Sequence, residues 1–209
     1  MKITPGDSLK ATILKSDLPD LVQELGEFGV DSVLSEGVFR DLPILGTIHA
    51  LCNSFGSIRD YLFTKKLLRF LKSMSELTPV QRTDLMSKIE SEKGFSSYAG
   101  EKMIEVLSRL DEEVKAELVA KALKLYAEGK IDSSQLQRIW QAIERFLMCD
   151  VNALRDFVVL PGFFKTDDNP LTISFLSAGL GYVKSGYGGG GVHPTAMARL
   201  LVQLIDSGG

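Results

Sequence analysis

The feature that most constrains this chain is the helical spacing of its apolar residues, which continues with short interruptions from Ser16 to about Phe157. The first helix of this region is predicted to begin near Asp17, with Pro19 in its first turn. Another helix, from about Ser57 to Leu77, has a 3.6-residue apolar period formed by Ile58, Leu62, Phe63, Leu67, Phe70, Leu71 and Met74. A chain of 209 residues buries roughly 70% of its unfolded surface, so such helices can pack together without disulfides. The sequence therefore predicts a mainly α protein, a multi-helix bundle.

Capping signals divide this region into separate helices. Asp41-Leu42-Pro43 places an N-cap residue before a proline that suits the first turn of a helix. Thr78-Pro79-Val80-Gln81 and Asp132-Ser133-Ser134-Gln135 each have the spacing of a capping box. Asp111-Glu112-Glu113 puts acids at a helix start, where the macrodipole favours them, and Gly129 is predicted to end that helix.

The last forty residues follow a different pattern. A short helix is predicted to end at Gly179, and Leu180, Tyr182 and Val183 then alternate as in a strand. A glycine-rich tip over 184–191, a return strand and a closing helix complete the predicted order. This order resembles the second half of a winged-helix domain. The resemblance implies a small C-terminal two-stranded β-wing with a closing helix.

A boundary between the helical body and this winged-helix-like module is predicted within Val158 to Pro170. That segment contains two prolines, one glycine and an acidic turn, a composition typical of a connection. We therefore predict a helical body over 1–157 and a C-terminal module over 158–209. Because the connecting residues are largely apolar, the module is expected to pack on the body.

The strongest electrostatic feature is a basic face on the helix of residues 57–77. Lys65, Arg69 and Lys72 lie at positions i, i+4 and i+7, and Lys66 and Arg59 are nearby. A basic amphipathic helix can contact a protein partner or an anionic membrane surface. The same pattern also fits a core helix whose cationic side is merely solvated.

Nucleic-acid binding has less support in the charge distribution. The net charge is −3, and residues 150–209 contain four cations against five acids. On the wing, Lys184 is the cation and Tyr187 the aromatic residue of the tip, which are our predicted wing contacts. The glycine run lacks the Gly-Lys-Ser/Thr ending of a phosphate-binding loop. A winged-helix-type nucleic-acid-binding regulator therefore remains the alternative function.

Catalysis and cofactor binding find little support in the sequence. The two histidines, His49 and His193, have no partner at a metal-ligand spacing, and His193 is predicted to lie in a loop. No nucleophile motif occurs, so no catalytic, cofactor-binding or metal-binding residue is predicted. An enzyme without a recognisable motif is the third alternative. The two cysteines, Cys52 and Cys149, are predicted to be buried thiols in a reducing compartment.

Two stretches of the chain carry a second resemblance. Leu42-Pro43-Ile44-Leu45-Gly46 is followed by Ile58 to Leu71, with Lys65-Lys66 before Phe70-Leu71, and Phe175 to Leu180 lies near the end. Together they resemble an uncharacterised family of small helical bacterial proteins, over about Leu18 to Ile205. That resemblance implies a bacterial or phage source and a compact helical fold, with no functional residues to transfer.

The leading functional expectation is a non-enzymatic interaction or regulatory protein. No signal peptide is visible at the start of the sequence, so a cytoplasmic location is predicted, with the inner membrane surface as an alternative site of action. The expected ligand is a protein partner, and no cofactor is predicted.

Overall fold

The computed structural model describes residues 4–24, 42–51, 58–92, 99–160, 164–165, 169–184 and 191–207, without the side chains of 48–51, 164 and 165. It is mainly helical, as predicted, with a small antiparallel sheet near the C-terminus that is followed by a closing helix. The chain forms two compact units, Met1–Lys130 and Ile131–Gly209. The boundary predicted after residue 157 therefore falls inside the second unit.

Helices build the first unit. They are α1 (Pro5–Leu14), α2 (18–24), α3 (Pro43–Leu51), α4 (Ile58–Ser75), α5 (Pro79–Ser91), α6 (Ala99–Arg109) and α7 (Val114–Ala127). α4 packs mainly on α7, and α1 packs on α3 and α6. The predicted start at Pro43 and the capping box formed by Thr78 and Gln81 are confirmed.

The helix α1 was not predicted, although its start signal is present in the sequence. Thr4 caps it and forms a capping box with Asp7, and Pro5 occupies the first turn. Its buried face includes Gly6, Ser8 and Thr12 besides Leu9 and Ile13. Because so many buried positions are small or polar, the apolar period of this helix is too weak to recognise.

Two glycines let α1 and α6 approach each other closely. A Cβ atom on Gly100 would lie 2.2 Å from the carbonyl oxygen of Gly6. A Cβ atom on Gly6 would lie 2.3 Å from the carboxyl group of Glu101. Both distances are far shorter than van der Waals contact, so only glycine fits at this crossing.

The second unit begins with two helices, α8 (Ser133–Arg145) and α9 (Val151–Val159), joined through a 3₁₀ turn. The predicted capping box of Asp132 and Gln135 is confirmed. Trp140 is buried, as are Leu136, Ile139, Ile143 and Phe146. Leu147 is about half exposed because the helix has already ended at Arg145. Cys149 is also exposed, since it lies on the 3₁₀ turn, whereas Cys52 lies outside the described residues.

The rest of the second unit contains three strands and two helices. Its elements are β1 (Phe164–Lys165), α10 (Pro170–Ser177), β2 (Gly181–Lys184), β3 (Gly191–Pro194) and α11 (Ala196–Asp206). Gly179 has a φ of 72°, which ends α10 and turns the chain into β2 as predicted. The helices α8 and α9 both pack on α11.

The sheet has one strand more than the two-stranded wing that was predicted. Its strand order is β1-β3-β2, and both neighbouring pairs are antiparallel. The additional strand pairs Phe164 with Val192 and Lys165 with Gly191. Two residues between a glycine and an acidic turn are too short a run to give an alternating pattern, so β1 could not be recognised from sequence.

Candidate functional site

The predicted basic face of α4 is largely accessible. Ile58, Leu62, Lys65, Arg69 and Lys72 form one stripe at spacings of three or four residues, in which all but the half-buried Lys65 are exposed. Arg59 and Lys72 are exposed and make no ion pair within the described part of the chain. Lys65 Nζ lies 5.1 Å from the centroid of the Tyr61 ring, a cation–π distance.

Lys66, by contrast, points into the first unit. It is only 8% exposed, and its Nζ donates a hydrogen bond of 2.6 Å to the carbonyl oxygen of Leu110. Burial lowers the pKa of Lys66, while the negative charge of Asp111 acts in the opposite direction. This lysine therefore anchors α4 to the turn before α7 and is not displayed on the basic face.

Acidic residues at the start of α7 border the same face. Arg69 lies 3.8 Å from a carboxylate oxygen of Glu113 and 3.7 Å from one of Glu117. Lys115, which is fully buried, forms an ion pair of 2.6 Å with Asp111. The predicted capping acids thus also neutralise cations that α4 and α7 bring together.

Two large apolar residues lie at one end of the α4 stripe. Ile58 is 78% exposed and Leu62 is 50% exposed, although both belong to the apolar period from which the helix was predicted. The buried face of α4 includes Thr64, Leu67, Phe70, Leu71 and Met74. The spacing itself carried a usable signal, since positions 58 and 62 lie on one line with 65, 69 and 72.

A shallow cavity adjoins this stripe. It has a volume of about 260 Å³ and is lined by Leu62, Lys65, Lys66, Asp111, Glu112 and Glu113. Its lining thus has one apolar side chain and charges of both signs. The volume lies below the roughly 300–1,000 Å³ of ordinary small-molecule pockets. We use the name α4 surface for Ile58, Leu62, Lys65, Arg69 and Lys72 together with this cavity.

The predicted wing contacts lie on the sheet of the second unit. Lys184 is exposed at the end of β2, and Tyr187 lies outside the described residues. Sequence reasoning missed the neighbouring pair of Tyr182 and His193, whose ring centroids are 5.8 Å apart. His193 was predicted to lie in a loop, but it belongs to β3 and stands opposite Tyr182. Recognising the pair requires the register of the hairpin, which the tip sequence does not specify.

Further observations concern His49, metal binding and membrane-spanning helices. The side chain of His49 lies outside the described residues. Within the described ranges, no three histidine, cysteine or acidic side chains are grouped so that they could bind a metal ion. None of the helices described has both the length and the apolar character needed to cross a membrane.

No protein-family model, curated protein or solved structure matches this chain. Function is therefore inferred from the contacts, the exposure and the charges of the two surfaces described above.

Proposed function

We propose that this chain is a non-enzymatic interaction protein of the bacterial cytoplasm, and that its first unit binds a protein partner through the α4 surface. The observation that carries the proposal is the exposure of Ile58 and Leu62 one helical turn apart. Large apolar side chains that lie together and are rimmed by charges are typical of the centre of a protein interface. Full burial of an exposed side chain of this size contributes roughly 1.5–3 kcal/mol, and binding would gain the part that corresponds to the surface Ile58 and Leu62 still expose.

The charges around these two residues favour a protein over an anionic membrane. Polybasic segments that bind acidic lipids carry about four to eight accessible cations, each contributing roughly 1 kcal/mol. On α4, Lys66 is buried and Arg69 faces two glutamates, which leaves Arg59, Lys65 and Lys72. The acids of the cavity would repel anionic lipid from the same area. A protein partner can match charges of both signs, and a lipid surface cannot.

Site-specific photo-crosslinking in the natural host tests this proposal. A benzophenone amino acid at Leu62 should give discrete adducts with protein, and Ile58→Asp in the same chain should abolish them. Val80, an exposed apolar residue on α5, is the matched control position and should give no such adduct. The same adducts at both positions would contradict the proposal.

Flotation with vesicles that contain phosphatidylglycerol separates the membrane alternative from the proposal. We expect the protein to remain in the unbound fraction at physiological salt. If it floated with the vesicles and Lys65→Glu/Lys72→Glu prevented this, the α4 surface would be a lipid-binding face, and the protein-partner proposal would fail.

A further inference from the structure

The two sides of strand β3 differ in burial. Val192 and Pro194 of β3 are buried, and Val192 lies opposite Val183 of the edge strand β2, which is 52% exposed. A Cβ atom on Gly181, which shares this side, would meet Val192, Phe157 and Leu176. Because side chains alternate along a strand, Tyr182 and His193 belong to the opposite, outward face.

The outward face carries a pair of aromatic rings next to a cation. Tyr182 is 49% exposed, and its ring is inclined at 32° to the ring of His193. Lys184 follows Tyr182 by two positions on the same side of β2, about 6.6 Å along the strand. Arg199, one turn into α11, is exposed and reaches the end of β3, where its Nη1 lies 3.4 Å from the carbonyl oxygen of Pro194. We use the name sheet face for Tyr182, His193, Lys184 and Arg199.

The sequence stretch that contains these cations has no acid. Between residues 168 and 206 the chain contains no aspartate or glutamate, although it has 27 acids in total. The acid that ends this run, Asp206, lies at the far end of α11, about 15 Å along the axis from Ala196. It is also held by Arg155 at 2.7 Å. The stretch 169–205, which supplies every residue of the sheet face, thus contains Lys184 and Arg199 and no acid, in a chain whose net charge is −3.

From this arrangement we infer that the sheet face binds single-stranded nucleic acid, independently of the α4 surface. One unpaired base stacks on Tyr182 and His193, because every base offers an aromatic face to such a platform. Lys184 and Arg199 contact the phosphates on either side of that base. Single strands are favoured over duplexes, whose bases are stacked on one another and leave their edges, not their faces, to a protein.

The composition of the sheet face favours this ligand over a protein or a lipid surface. The described part of the face offers two cations and two rings, with β2 and β3 contributing no carboxylate for a basic partner. Two cations are fewer than the about four to eight that hold a peripheral protein on acidic lipids. A polyanion whose monomers alternate an aromatic ring with a phosphate matches both features at once.

Fluorescence anisotropy with a labelled oligothymidylate of about 15 nucleotides tests the inference. The full chain should bind it, and Tyr182→Leu should weaken binding about 5- to 150-fold because a stacked base is lost. Tyr182→Phe keeps the ring and should bind like the unmodified chain. Val183→Ala, at a half-exposed position on the opposite side of the same strand, is the matched control and should leave the affinity nearly unchanged.

Salt dependence checks the phosphate contacts separately. Lys184→Ala should weaken binding and reduce the slope of log affinity against log salt by about 0.7, the contribution of one phosphate on a single strand. Because Lys184 is exposed, this variant remains informative even where Tyr182→Leu lowers the thermal midpoint. Binding that is equal in all variants, tighter to duplex than to single strand, or absent at low salt would overturn the inference.

Discussion

The α4 surface and the sheet face both present cations, but their surroundings differ. On α4, five cations lie within one helix, yet one is buried and another lies between two glutamates of α7. On the sheet face, two cations lie in a stretch of sequence that has no acid. The surface with more positive residues is thus the more nearly neutralised of the two.

This difference shows that a local count of cations does not predict positive potential. The acids that oppose the α4 cations come from a segment about 45 residues further along the chain, which the fold brings alongside. The charge balance of residues 150–209 as a whole does not reveal the acid-free stretch 169–205, because all five acids lie outside it. A mixed surface suits a protein partner, whereas an acid-free aromatic surface suits a nucleic acid.

The largest expected effect tests the core that supports the sheet face. Trp140 is buried on α8, which packs on α11, so Trp140→Ala should lower the free energy of unfolding by about 3–5 kcal/mol. Leu160→Ala, at an exposed position of the same unit, should change it by less than about 0.5 kcal/mol. Urea unfolding followed by circular dichroism measures both. If the two variants were equally stable, Trp140 would not belong to the core that supports the sheet face.

The next largest effect on stability should distinguish the two adjacent lysines of α4. Lys66→Ala leaves the Leu110 carbonyl without its donor, and should lower the free energy of unfolding by about 1–3 kcal/mol. Lys65→Ala removes a half-buried side chain whose amino group contacts only the ring of Tyr61 among the contacts described, and should lower it by less than about 0.5 kcal/mol. If both variants were equally destabilised, Lys65 would also be structural, and the α4 surface would lose a cation that we assign to binding.

A smaller effect should appear in the acid stability of the α4–α7 junction. Burial raises the pKa of Asp111, but its hydrogen bond to Lys115, the charge of that lysine and backbone N–H groups together lower it below the ordinary value of 3.8. Since the folded pKa is the lower one, the stabilisation is present above the unfolded pKa and is lost as the pH falls through the folded pKa. Asp111→Asn should therefore reduce the fall in stability between about pH 5 and about pH 2.

Glu112→Gln provides the control for this acid transition. It removes the same charge from the adjacent exposed position, which has no salt bridge within the described residues. Urea midpoints measured across the acidic range should fall in Glu112→Gln as they do in the unmodified chain. If Asp111→Asn and Glu112→Gln behaved alike, the ion pair with Lys115 would not stabilise the junction.

The parts of this fold that depend on neighbouring residues were predictable from the sequence. The capping boxes at Thr78 and Asp132 and the turn at Gly179 are local chemistry, so three or four residues specify them. The closing helix after Thr195 follows the same rule. α1 was missed because its buried face is largely polar or glycine, although Thr4 and Asp7 carried a start signal.

The binding surfaces depend on contacts that are distant in sequence, and were predictable only in part. The cations of α4 were identified, but whether Ile58 and Leu62 face the core or solvent depends on how α4 lies on α7. Tyr182 and His193 are brought together by the strand register, which a glycine-rich tip leaves open. Helical periodicity gives the face of a residue relative to its own helix and does not say what covers that face.

One comparison of two variants tests the central claim, that the two surfaces differ in the ligand they accept. Lys65→Glu/Lys72→Glu on the α4 surface and Lys184→Glu/Arg199→Glu on the sheet face lower the net charge of the chain equally. The account predicts that the sheet-face pair weakens oligothymidylate binding at least about a hundredfold, since two charge-assisted contacts of about 1.5–3 kcal/mol each are lost. It predicts that the α4 pair keeps nearly full affinity. An equal loss in both variants would mean that only overall charge matters, and a loss confined to the α4 pair would contradict the account.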